Sequence, residues 1–303
     1  MSDNSAPAGA PFDKPDADVI YAPSAHGEVA AEKRGIPVVD ITEDRVAVDI
    51  LLRFCYPGEV PELLTFDGVK KGLEMVRKYQ VEGAMPFIRR SLVSPELLEE
   101  NRLRVYAIAC LYELHQEAIV SARACLRLQQ TELWDSDDIP EFSSVPVEAF
   151  IRLGQYHRKC GDAAAMVVES WSSGWLEHAR IHSFCFFRCQ SCNGTSSCYS
   201  LAGYVRASKS RWWDSFMQDV KKAIKQQPLA PLTMDILPWE YLMTPAQCAT
   251  CRATVGQDIC QFLDLFSRSL TEAIEKVQLV CLSDIGAGRS LRPEAWKRWL
   301  SIG

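Results

Sequence analysis

Apolar residues recur at three- and four-residue intervals along most of the chain, the repeat of helices with one buried stripe. The longest such run is Ile259, Leu263, Phe266, Leu270, Ile274 and Val277. Trp213, Phe216, Val220 and Ile224 repeat it, and Leu114, Ala118, Ala122 and Cys125 repeat it within a helical stretch predicted over Arg102 to Leu128. Near the N-terminus the pattern changes. Ala17–Tyr21 and Ile36–Ile41 are short strand candidates, the second carrying Val38, Val39 and Ile41 as β-branched bulk. Thr42 or Asp44 can cap a helix over Arg45–Tyr56, which Pro57-Gly58 stops. A further helix closes near Lys78-Tyr79, and Ser94-Pro95 opens another with a capping serine followed by proline at the first helical position.

These elements predict a mainly α protein with a small α+β N-terminal module followed by a helical domain. Residues 1–16, rich in Ser, Ala, Pro and Asp, read as a loose tail. Residues 17–93 form the N-terminal module, with Leu52 and Val76 expected in its core, and residues 94–281 form the helical extension. Residues 282–303, which hold Gly286, Gly288 and Pro293, read as an appended C-terminal segment. Residues 22–35, 129–145 and 226–239 read as connections, and no repeat of solenoid period is present.

Charge and composition narrow the function classes. A net charge of −6 over 303 residues argues against a general nucleic-acid binder, which needs a basic face. No apolar run approaches the ~18 residues of a membrane span, so no membrane partner is expected. The first residues have neither the basic start nor the apolar block of a secretory signal. The expected location is therefore intracellular, cytoplasmic or nuclear or both, and the twelve cysteines are expected mostly as reduced thiols. No G-x-S-x-G, H-E-x-x-H, P-loop or dinucleotide glycine fingerprint occurs, so the chain reads as a non-enzyme.

The cysteines are the only candidates for a site. Cys189-Gln-Ser-Cys192 and Cys248-Ala-Thr-Cys251 are two C-x-x-C pairs with 55 residues between them, and Cys185 and Cys198 flank the first. Four thiolates from Cys189, Cys192, Cys248 and Cys251 would complete a tetrahedral zinc site. Buried core thiols, or a disulfide or redox pair, are the alternatives. Thr244-Pro245-Ala-Gln247 has the composition of a capping box, which predicts Cys248 and Cys251 in the first turns of a helix. Asn193-Gly194 offers a tight turn after the other pair. His178 and His182, four apart, read either as further ligands or as a surface pair. Cys55, Cys110, Cys125, Cys160 and Cys260 fall on apolar helical faces and are expected in the core. Trp171, Trp175, Trp212, Trp213 and Trp239 read as helical core, with a peptide groove as the alternative. Lys221, Lys222 and Lys225 read as a solvated helix face.

Ala17-Asp18-Val19-Ile20, Ile36 to Asp44, Leu52-Arg53-Phe54-Cys55-Tyr56-Pro57 and Lys78-Tyr79 follow one another in a recognisable order. By these residues the stretch Gly35–Ala84 resembles the second half of a BTB/POZ domain of the form common in basidiomycete fungi. Beyond them, Arg104 to Ala109 with Tyr112, Glu117 and Ala118 is similar to the helix that follows the core in these proteins. Between Ile20 and Gly35 this chain is shorter than the family, which there carries a further strand and the helix of the dimer interface. The resemblance implies a shortened BTB/POZ-like domain and a non-catalytic adaptor or scaffold with protein partners, a cullin-type ligase scaffold among the candidates. The shortening implies a monomer in place of the usual homodimer. A zinc-binding, transcription-associated regulator is the alternative, with Arg180, Arg188, Arg206, Lys209 and Arg211 as its basic residues.

Overall fold

The computed structural model describes residues 20–23, 32–33, 36–56, 61, 63–134, 139–169, 175–176, 183–189, 191–192, 199–201, 205–207, 210–230 and 240–279, with backbone alone for 20–40 and 199–207. The chain is mainly helical. It divides into two compact units, residues 1–101 and 102–303. The division falls at Asn101, where φ −126° and ψ 29° break the helix α4 (Pro95–Leu111).

In the first unit, β1 (Ile20–Pro23) runs parallel to β3 (Ile36–Ile41), and β2 (Glu32–Lys33) pairs antiparallel on the other side of β3. The stretch 22–35, expected as loop, thus contributes the last residues of one strand and the whole of another. The helices that follow are α1 (Arg45–Cys55), α2 (Phe66–Lys78) and α3 (Met85–Leu92). Asp44 is the cap of α1, its carboxylate accepting from the Ala47 N–H at 2.9 Å, and Thr65 plays the same part for α2 at Gly68. The start of α1 is tied to the end of α2: Tyr79 donates to Glu43 at 2.9 Å, and Lys78 pairs with the same carboxylate. Val69, Leu73, Met75, Val76, Ile88 and Leu92 form the core. Leu52, expected there, is only half-buried, because Ala47 and Ile50 occupy the inward face of α1. Asp44→Ala is expected to lower the stability of this unit by about 1 kcal/mol, read as a shifted urea midpoint. An unchanged midpoint would show that the cap contributes nothing.

In the second unit, the continuous helix predicted over Arg102 to Leu128 is two. Helix α4 ends at Leu111 and α5 spans His115–Cys125. Glu113 takes a left-handed conformation (φ 58°), and the Leu114 N–H returns to the Ala109 carbonyl at 2.8 Å. That is the helix-ending loop usually built on glycine, here closed by the buried Leu114. The predicted stripe survives the break, since Ala118, Ala122 and Cys125 are all buried. A short 3₁₀ helix, Pro140–Ser144, interrupts the connection 129–145. It places Glu141 against Arg104, a buried carboxylate held by two guanidinium hydrogen bonds of 2.9 and 3.1 Å.

Helix α6 (Val147–Glu169) is the central support, packing on α8 (Arg211–Gln226) and α10 (Val255–Glu275). Gly161 permits the close approach of α8, because a Cβ there would lie 2.4 Å from the Lys225 carbonyl oxygen. Between them come α7 (Cys185–Arg188), the paired strands β4 (Tyr199–Leu201) and β5 (Val205–Ala207), and, before α10, α9 (Glu240–Gln247). Aromatic rings fill the core beside α7. Phe186 stacks on Trp213 with centroids 3.7 Å apart, and Phe262 meets Trp213 edge-on at 4.6 Å. Of the tryptophans expected in the core, Trp212 and Trp213 are buried and Trp175 is half-buried with its ring against Phe262 and Phe266, while Trp171 and Trp239 lie outside the described residues. On α10, Phe262 takes the buried place expected of Leu263, which is half-buried. Cys125 and Cys160 are buried, whereas Cys55 and Cys260 are exposed, against expectation, because each sits one position off its helix's inward stripe. Lys221, Lys222 and Lys225 face outward, each paired with an acidic neighbour: Glu169, Asp219 and Asp162. Among the described residues, no helix is long and apolar enough to cross a membrane.

Candidate metal centre

The two C-x-x-C pairs converge. Cys189 follows α7, whose last turn is closed by the Cys189 N–H donating to the Cys185 carbonyl at 2.9 Å. Cys192 lies in the turn just beyond. Cys248 and Cys251 lie between α9 and α10. The capping-box reading of Thr244–Gln247 is corrected here. Those residues end a helix instead of starting one, and Pro245 lies inside α9. Proline cannot donate to the preceding turn, and α9 finishes two residues later, so both cysteines fall in the turn that leads into α10. The Cys251 carbonyl accepts from the N–H groups of Thr254 and Val255 at 3.0 and 2.9 Å, which joins that turn directly to the start of α10.

The four Sγ atoms all lie within 4.8 Å of one another. Cys189 approaches Cys248 at 3.7 Å and Cys192 approaches Cys251 at 3.8 Å, so each close pair joins the two motifs. A tetrahedron of sulfurs about 2.3 Å from a zinc ion has edges of about 3.8 Å, and the close pairs match that edge. They are far longer than a disulfide bond of about 2.05 Å, and all four cysteines are free thiols. Cys189 and Cys251 are buried, while Cys192 and Cys248 are part-exposed, which is not the burial of ordinary core thiols. The group could hold a metal ion.

The surroundings divide the thiols. The N–H groups of Cys251 and Thr250, then the thiol of Cys192, point at the Cys248 sulfur and bring it down to about 6, so it stands ready as a thiolate at neutral pH. Burial, followed by the neighbouring Cys248, pushes Cys192 up to about 12. Burial also drives Cys251 upward, with the other sulfurs adding to it. Crowded sulfurs cannot all ionise without a cation to share their charge, and a metal ion supplies that charge.

Two neighbours lie beside the four cysteines, of which the sequence pointed to Cys185 but not to Asp258. Cys185, one of the flanking cysteines, is buried against Cys251, and burial followed by Asp258 raises its thiol to about 11. Asp258 itself is a buried carboxylate whose Oδ2 accepts from the Cys185 N–H at 2.8 Å. A signal for Asp258 was present: with Val255, Ile259 and Phe262 it falls on the buried stripe of α10, where a carboxylate needs a partner. Cys198, His178, His182, Asn193 and Gly194 lie outside the described residues. Comparison of the chain with protein-family models, with curated proteins and with solved structures found no match.

Proposed function

We propose that this is a non-catalytic protein–protein interaction protein, an adaptor or scaffold of BTB/POZ type, whose helical part is held by a zinc ion on Cys189, Cys192, Cys248 and Cys251. The closed donor set carries the reading. Four protein thiolates would fill every tetrahedral position, as in structural zinc sites, whereas catalytic sites keep one position open for water or substrate. The ion would supply charge compensation for the thiolates and join the turn after α7 to the turn before α10. A surface suited to a partner supports the interaction role. Trp134 (49% exposed) lies over Gly154, and Val147 (64%) and Ile151 (46%) continue that face along α6. Exposed aromatic and aliphatic groups gathered on one face are what protein interfaces use. In the N-terminal unit, the order of strand, capped α1 and Tyr79-anchored α2 is in keeping with the BTB/POZ resemblance.

The full chain, used as bait in a fungal extract and read by mass spectrometry, is expected to retain protein partners, a cullin-type scaffold being one to look for. Trp134→Asp with Ile151→Asp is expected to lose them. Light scattering on a sizing column is expected to give a monomer. Partners retained equally by the variant would overturn the α6 surface, and a specific capture of nothing at all would overturn the adaptor role.

One observation favours a zinc-dependent regulator of transcription instead. Arg188 and Arg252 are exposed directly beside Cys189 and Cys251 in the chain, and Arg211 is exposed at the start of α8. That reading requires retention on duplex DNA that weakens steeply as salt rises.

A further inference from the structure

We infer that Asp258 is the positioning residue of the four-thiol centre, holding the Cys189 half of the donor set against the Cys251 half before any metal arrives. The inference rests on the reading of the four cysteines as metal ligands. Cys251 is joined to the start of α10 through its own carbonyl, which accepts from Thr254 and Val255. Cys189 is tied to α10 less directly. It hangs from α7, and the first N–H of α7, that of Cys185, is the group Asp258 accepts at 2.8 Å in a buried setting. The Cys185 carbonyl then accepts from the Cys189 N–H at 2.9 Å. A short relay therefore runs from the first turn of α10 through one carboxylate and one helical turn to the ligand 59 residues away in sequence from Cys248. Both halves of the site thus refer to the same few residues of α10. Ser210 fastens the same turn from the start of α8, its N–H and hydroxyl donating to the Phe186 carbonyl at 2.9 and 3.1 Å.

Charge alone gives no reason for a carboxylate here. Four thiolates around a divalent ion already carry excess negative charge, and a buried aspartate beside them adds repulsion. What the carboxylate contributes is a strong acceptor aimed at a buried N–H, the kind of outer contact that orients metal ligands. The two effects predict opposite results for alanine, which drops both the charge and the acceptor, whereas asparagine keeps an acceptor oxygen and drops only the charge.

The test uses the full chain, loaded with zinc and titrated with a competing chelator, and separately loaded with cobalt(II), whose sulfur-to-metal absorption reports the ligand geometry. Asp258→Ala is expected to weaken zinc binding by about 10–100-fold and to alter the cobalt spectrum. Asp258→Asn is expected to restore the wild-type spectrum and to bind at least as tightly as wild type. Ile274→Ala, which loosens the far end of α10, controls for general destabilisation and is expected to leave the spectrum unchanged. Wild-type affinity and spectrum in folded Asp258→Ala would overturn the inference, as would an Asn variant no better than Ala. Failure of the wild-type chain to bind zinc or cobalt at all would instead overturn the metal reading on which it rests.

Discussion

Cys248→Ser with Cys251→Ser is expected to abolish zinc binding and to unfold the part of the helical unit built around α7, α9 and α10. Wild-type protein purified without chelator should carry about one zinc per chain, and the double variant should carry essentially none. Serine keeps the size of cysteine but offers no thiolate at neutral pH, so the lost property is the ligand and not the packing. The effect is expected to be large because metal binding to such a set is itself folding free energy. Structural zinc in small domains is worth about 10–16 kcal/mol, comparable to the whole stability of an ordinary domain at about 5–15 kcal/mol. Here an aromatic core shares the load, so the variant should keep helical circular dichroism while losing the near-ultraviolet signal of the packed tryptophans around Trp213. Its thermal transition should fall and broaden, and chelator treatment of the wild type should reproduce the change. Metal-free protein that unfolds like the wild type would reduce the cluster to four thiols in convergent turns.

The second large effect is expected from the aromatic core. Trp213 is 1% exposed and touches Phe186, Phe187, Trp212, Phe216 and Phe262, so it links α7, α8 and α10 at once. Trp213→Ala should cost about 3–5 kcal/mol through lost contacts and the cavity left behind, with Trp213→Phe recovering part of it. Urea unfolding followed through the remaining tryptophans would measure both. A cost below about 1 kcal/mol would mean that the rings do not form the continuous core that the structure places there. Because Phe186 belongs to α7, the same substitution should also loosen Cys189, and zinc should dissociate faster from Trp213→Ala than from the wild type.

Both results depend on features of unequal legibility. The stripes Trp213, Phe216, Val220, Ile224 and Ile259, Phe266, Leu270, Ile274 are buried as their spacing predicted, because a helix repeats its inward face regardless of what it packs against. The strand Ile36–Ile41 and the capping aspartate before α1 were also visible locally, since β-branched bulk and a short carboxylate act on their own backbone. Where local signals competed, reading by spacing failed. Thr244-Pro245 has the composition of a helix start but lies within the end of α9. The stripe across Leu114 continues smoothly although the backbone turns at Glu113. Cys55 and Cys260 looked like core because a cysteine is apolar enough to fit, yet a helix rotation of about 100° per residue decides which side it faces.

The four cysteines that could hold a metal ion were visible in the two C-x-x-C motifs, for the chemistry of a thiol pair depends only on residue type and local spacing. Whether 55 intervening residues bring the motifs together is a property of chain path, which no local pattern encodes. Only the tertiary structure placed Cys189 by Cys248 and Cys192 by Cys251, by packing α7 and α10 on one aromatic core. It alone identified Asp258 as a contact between α7 and α10, because a carboxylate on an apolar stripe has meaning only once its partner N–H is known. The amino-acid sequence thus determined the helices, their inward faces and the sulfur chemistry available, all set by forces acting within a few residues. The arrangement of those sulfurs in space was decided by long-range burial, which acts between segments that the sequence keeps far apart.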